Sequence, residues 1–360
     1  MCREDVARNQ RTRIYGAMIE AVSRQGYQKT AVADVLALAG VSRRAFYEQF
    51  ANKEACFLAT SDIVVARERR RMVDAWENER GWSNRVHAAC KSLLDATAAD
   101  PRGPRLVLIE ALAVKSSAPE RMHLAAATFE QLIAAAYSLA PGRGLPPLAP
   151  RAIAGGVRHL ILTRLLERRE HELYRLTDEV LDWIESYHSP TAPSLAAQAT
   201  GAPVSAHPPA GPITGRSEPS PLEVLVATAR EAARNQLQSA PSWPEAVYRT
   251  IAGFVSHLLC NPSLLPRAAR KPMTDARTVG RLVELTRVLT AGAPAPRRGP
   301  AVAQEALAGA LWAILSSSAS EERLARLPST VDHLAFTALG PYLGARSASE
   351  AVRAARVSLP

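Results

Sequence analysis

Apolar residues recur at three- and four-residue spacing along nearly the whole chain. Ile14, Ala17, Met18, Ala21 and Val22 form one stripe, Val157, Leu160, Ile161 and Leu165 a second, and Val180, Leu181, Ile184 and Tyr187 a third. That period places each set on one face of an α-helix, and the alternating Val/Ile/Thr runs of half-buried strands are missing. Helix starts are marked as well. Ser220-Pro221-Leu222-Glu223 offers a capping serine, a proline at the first helical position and a glutamate at the third, and Ser242-Trp243-Pro244-Glu245 repeats the capping serine and the glutamate. Thr177 followed by Asp178 and Glu179 puts negative charge where a helix dipole favours it. The fold class is therefore all-α.

The pattern is interrupted most clearly from Ser189 to Pro221, where eight prolines stand in 33 residues among Ala, Gly and Ser. Proline withholds the backbone donor that helices need, and nothing there can form a core. Residues 189–220 read as a linker. Pro141 to Pro150 and Ala291 to Pro300 read as shorter loops, one on each side of it. The flanking halves resemble each other. Trp82, Val86 and Pro101 match Trp243, Val247 and Pro262 at an offset of 161. Ala154-Gly155 matches Ala308-Gly309 at 154, and Arg175-Leu176 with Val180 matches Arg326-Leu327 with Val331 at 151. A duplicated domain whose loops shortened would give this shrinking offset. Nothing in the second half matches residues 10–52.

Those unmatched residues hold the most specific pattern. A first helix is expected from about Gln10 to Arg24, ended by Gly26. Thr30 is expected to cap a short helix from Val32 to Ala39. Gly40 then allows a sharp turn, Val41 plugs it, and Ser42 caps a third helix, Ser42 to Phe50. Helix, short glycine-containing turn and helix is the geometry that sets a recognition helix into the DNA major groove. Arg43 and Arg44 lie in the first turn of that helix, while Phe46 and Phe50, four apart, share its inward face.

The string KTAVADVLALAGVSRRAFYEQFANKEACF, Lys29 to Phe57, resembles the TetR/AcrR family of transcriptional regulators. The anchors are Gly26, Thr30, Ala39-Gly40-Val41-Ser42, Tyr47, Phe50, Lys53 and Glu54. The resemblance implies a three-helix DNA-binding domain followed by a helical ligand-binding domain, and regulation, usually repression, released by a small molecule. Carried over by position, Thr30, Tyr47 and Lys53 match phosphate contacts, and Ser42, Arg43 and Arg44 match the start of the recognition helix. Side-chain chemistry agrees: hydroxyls and an ammonium suit phosphate oxygens, and arginine can pair bidentately with guanine. Ala31, Leu36 and Gln49 depart from the residues usual at their positions. The expected organisation is a helix-turn-helix domain at 1–53, a helical ligand-binding and dimerisation domain at 54–188, the linker, and a second helical domain of the same type at 221–360. Helices Arg151 to Arg168 and Thr177 to Tyr187 resemble the pair through which family members dimerise. The second copy is expected to serve as an internal pseudo-partner, with two chains forming a homodimer on a palindromic operator.

Composition changes this picture little. Apolar residues make up 47% and charged residues 22%, as in an ordinary globular protein. The net charge of +10 is a weak clue to DNA, since the first 60 residues hold 9 Lys/Arg against 6 Asp/Glu. The polar N-terminus and the lack of a long apolar run lead us to expect a cytoplasmic protein with no membrane partner. Double-stranded DNA and a small-molecule effector of unknown chemistry are the expected partners. No nucleotide loop, H-E-x-x-H or placeable catalytic triad occurs, so neither an enzyme nor a cofactor is expected. Glu167, Glu170 and His171 could offer metal ligands, but a solvated charged turn is favoured and no metal site is expected. Cys56, Cys90 and Cys260 read as core thiols. Trp82, Phe129 and Tyr137 are candidates for a ligand pocket. The rival reading is a helical protein-interaction module whose helix-turn-helix is structural or degenerate.

Overall fold

The computed structural model describes residues 3–114, 118–138, 146–188, 220–270, 276–294 and 300–358; the linker expected at 189–220 lies, but for Ser220, outside them. The described residues contain helices and no strand. In chain order the helices are α1 (Arg3–Lys29), α2 (Val32–Ala39), α3 (Arg43–Tyr47), α4 (Lys53–Glu77), α5 (Trp82–Ala99), α6 (Arg102–Leu108), α7 (Ala118–Ser138), α8 (Ala149–Leu166) and α9 (Thr177–Glu185). Then come α10 (Pro221–Ser239), α11 (Trp243–Cys260), α12 (Leu264–Arg270), α13 (Ala276–Leu289), α14 (Pro300–Ser317), α15 (Glu321–Leu324), α16 (Val331–Leu343) and α17 (Ala345–Ser358). Short 3₁₀ turns occupy Glu110–Ala113, Glu170–Arg175 and Leu327–Thr330.

Tertiary contacts divide the chain into two compact units. One is Met1–Thr128 with Arg164–Arg175; the other is Phe129–Thr163 with Leu176–Pro360. The division passes through α7 and α8 and not through the proline-rich stretch. Most of α8 and all of α9, expected to belong with residues 54–188, thus belong to the same unit as the second half.

In the first unit, the predicted stripe on α1 is buried: Ile14, Ala17, Met18, Ala21 and Val22 are all at most 5% exposed. They meet Val35 and Ala39 of α2, Phe46 of α3, Phe50, and Cys56 and Phe57 of α4 in one apolar cluster. In the second unit the capping box at Ser220 forms as expected. The Glu223 amide donates to Ser220 Oγ at 3.4 Å, and the Ser220 amide donates to Glu223 Oε2 at 2.6 Å. Ser242 stands at the start of α11 without a side-chain cap bond, contrary to expectation. Glu245 instead receives Arg249 at 2.6 Å and the Ser358 hydroxyl at 3.0 Å.

Candidate nucleic-acid interface

The interface is built from the local geometry of two glycines. Gly26 breaks α1 with φ 79 and ψ 158, a conformation that an L side chain resists. Its carbonyl accepts the Thr30 hydroxyl at 2.9 Å, and the Thr30 amide also reaches it at 3.2 Å. Gly40 ends α2 in the left-handed region, φ 59 and ψ 42, and its carbonyl accepts from Arg13 Nη2 at 3.1 Å. The chain then turns at once into α3, whose first turn Ser42 caps by accepting the Ala45 amide at 3.1 Å.

Packing fixes which face of α3 looks outward. Phe46 is fully buried and Phe50 nearly so; Phe50 stacks 5.6 Å from Phe46 and edge-on to Tyr15 at 5.8 Å. With those two rings anchored, Ser42, Arg43, Arg44 and Tyr47 are all exposed. The Arg44 side chain is 90% exposed and meets Glu48 at 2.9 Å, while the Arg43 guanidinium lies 5.8 Å from the centre of the Tyr47 ring. The structure thus brings Ser42, Arg43, Arg44 and Tyr47 together on one short element. Arg11, which sequence reasoning missed, adds a further exposed cation and donates to Gln49 Oε1 at 3.2 Å. Arg13, also missed, has its partner on the Gly40 backbone, a contact that no sequence signal announces.

Thr30 and Lys53, expected at phosphates, have hydrogen-bond partners within the protein. Thr30 is 2% exposed, with its hydroxyl committed to Gly26; it does not cap α2. The Ala31 amide at the head of α2 is satisfied by Asp34 Oδ2 at 2.8 Å. Lys53 is also turned inward. Its Nζ donates to the carbonyls of Tyr27 at 3.0 Å and Thr30 at 2.9 Å and lies 4.2 Å from the centre of the Tyr27 ring. An ammonium is well suited to the unpaired carbonyls at a helix end. Through these bonds both residues hold the end of α1 against α4.

The residues expected to line a ligand pocket fall in both compact units. Trp82, at the start of α5, belongs to the first compact unit; Phe129 and Tyr137 belong to the second. Tyr137 is buried, its hydroxyl donates to the Ile184 carbonyl at 3.3 Å, and burial pushes its pKa up. The charged turn behaves as a network of ion pairs: Arg169 binds Glu167 at 3.1 Å and Glu172 at 2.9 Å, which holds the Glu172 carboxyl below its ordinary range. Among the described residues no group of three His, Cys, Asp or Glu could hold a metal, and no helix is long and apolar enough to cross a membrane. Cys56 and Cys90 are buried thiols pushed up to about 12 by desolvation. Cys260 departs from the core-thiol expectation, being exposed at the end of α11.

Contacts tie the helix-turn-helix to the rest of the first unit. Arg102 at the start of α6 reaches Glu20 of α1 at 2.9 Å, and Glu110 Oε2 accepts the Tyr27 amide at 2.8 Å. The arginines on either side of Glu20 hold its carboxyl below the usual range.

The family model described as bacterial regulatory proteins, tetR family, matches residues 14–60. Similar solved structures include the transcriptional regulator FadR from Bacillus subtilis in complex with stearoyl-CoA, at 17% identity and a TM-score of 0.44, covering 48% of this chain and 96% of its own. The fatty acid degradation regulator FadR from Bacillus halodurans has 15% identity and a TM-score of 0.43 over the same shares. A TetR family transcription regulator from Marinobacter aquaeolei VT8 has 17% identity and a TM-score of 0.39, covering 50% of this chain and 97% of its own. No curated protein matches the sequence.

Proposed function

We propose that this chain, whose residues 14–60 belong to the tetR family of bacterial regulatory proteins, is a sequence-specific repressor of transcription released by a small molecule. The observation that carries the DNA part is the outward face of α3. Two arginines, a serine and a tyrosine are presented together on a helix that Phe46 and Phe50 prevent from rotating. Arg43 and Arg44 take the base edges, and Ser42 and Tyr47 take flanking phosphates. Docking costs Arg44 its bond to Glu48, but an exposed pair of that spacing contributes only about 0.3–0.5 kcal/mol. A bidentate pair with guanine returns about 1–3 kcal/mol of discrimination, so exchange favours DNA.

Release is supported by the two links from α6 and the following 3₁₀ turn to α1. A molecule that moved Arg102 or Glu110 would move Glu20 and the Tyr27 amide, and with them the frame that holds α3. The decisive experiment is footprinting on DNA flanking the gene, followed by anisotropy titrations of Arg44→Ala. The variant should lose about 1–3 kcal/mol on the protected sequence and show relaxed base preference. Unchanged binding by Arg43→Ala and Arg44→Ala would remove the assignment. No binding by the folded protein would favour the interaction-module reading.

A further inference from the structure

Within the second unit, α8 and α14 cross at their glycines. A methyl group on Gly155 would stand 2.8 Å from the Gly309 carbonyl oxygen, and one on Gly309 would stand 2.5 Å from the Gly155 carbonyl oxygen. Side-chain carbons do not approach backbone this closely, so only glycine fits at either place. The next contacts are exchanged in the same way. The space beside Gly155 is closed by the β-carbon of Ala313, and that beside Gly309 by the β-carbon of His159. Positions 159 and 313 each lie four residues beyond their own helix's glycine. Residue i therefore meets j′ while j meets i′, which is the signature of a two-fold axis relating two copies of one surface.

Here both copies lie in one chain. Three pairs of helices on either side of the proline-rich stretch match in order and in length: α5 and α11 each have 18 residues, α6 and α12 each have 7, and α8 and α14 each have 18, while α7 with 21 residues is longer than α13 with 14. Around the crossing the surfaces are filled. No residue of α8 or α16 is exposed, nor is any described side chain of α14. Gly156 lies under the Trp183 ring of α9 and would place a methyl 2.7 Å from the Ala306 carbonyl. Tyr187 closes the other side: its hydroxyl donates to the Thr337 carbonyl at 3.0 Å and its ring covers Gly340.

We propose that this seam is a dimer interface closed within a single chain, and that the protein works as a monomer presenting one α3 to one DNA half-site. A homodimer through these helices needs the same face uncovered on each chain, and residues 302–343 already occupy it. This replaces the homodimer expected from the family resemblance. The half-site part rests on the DNA-binding reading above; the monomer part does not.

Light scattering on the full chain across a wide concentration range, with a stoichiometric titration on the footprinted duplex, tests both parts. The expected results are the 38.8 kDa of one chain, one chain per duplex, and protection of a single half-site without a symmetric mate. A mass of two chains overturns the seam proposal whatever the DNA result. A single-chain mass with two chains bound to a palindrome overturns the half-site part. A single-chain mass without DNA binding fells the DNA reading and the half-site part with it, while the closed seam stands.

Discussion

At the turn before α3, Gly40 takes a left-handed backbone that other residues resist, and its carbonyl receives Arg13. At the crossing of α8 and α14, Gly155 and Gly309 have no positive φ; there the missing side chain makes room for a second backbone. The first glycine answers a local demand of the chain, and the other two answer a demand made by residues some 150 positions away. Substitutions separate the two kinds of need: beside Gly40 a side chain would meet only the end of Arg13, which can swing away, whereas beside Gly155 and Gly309 it would meet backbone that cannot.

The largest effect is expected at the crossing. Gly309→Leu should destabilise the chain by about 3 kcal/mol through overpacking against backbone that cannot retreat, read as a shift in urea midpoint. Gly155→Leu should cost about the same, because the contacts are exchanged; strongly unequal costs would break the reciprocity of the seam. Next comes Lys53→Met, which keeps the stem and removes both bonds to the end of α1, at a cost of about 2 kcal/mol. The salt dependence of DNA binding should then stay as it was. A lower salt slope without lost stability would return Lys53 to the phosphate backbone. Gly40→Ala should cost about 1–2 kcal/mol through its left-handed backbone, with Gly40→Asn less harmful.

The smallest effect is a pH dependence. His333 on α16 is 6% exposed, and burial pushes its pKa below the usual imidazole range, against weaker upward pulls from the Ser329 backbone and from Asp332. The unfolded chain therefore takes up the proton first. Stability is full above the ordinary value of about 6.5 and is lost as pH falls through it. Thermal midpoints measured across that range should show the step, and His333→Gln should reduce it.

How far the sequence could be read follows from the same contrast. The break at Gly26, the turn at Gly40, the Ser42 cap and the inward Phe46 and Phe50 were legible because each depends on residues within about one helical turn. The internal partners of Thr30 and Lys53 were not, because they are backbone carbonyls of Gly26, Tyr27 and Thr30 brought into reach by the kink in α1 and the packing of α4. The first helix also starts earlier than Gln10, at Arg3, where the polar sequence has no apolar stripe to announce it. In the body, helix positions and the matched pairs Trp82/Trp243 and Gly155/Gly309 could be seen in the sequence. That the two glycines touch each other could not, since a repeated pattern says that two surfaces are alike without saying that they meet.

The reciprocal seam also bears on how such a molecule can change over generations. In an assembly of two identical chains, every mutation appears on both sides of the axis at once, so an improvement on one side must be tolerated by its mirror image. Joining the two surfaces in one polypeptide lifts that constraint. The equivalent places beside the crossing are already held by different residues, a histidine at 159 and an alanine at 313. Each half is free to drift toward its own task, one keeping the link to the reading head and the other having none to keep.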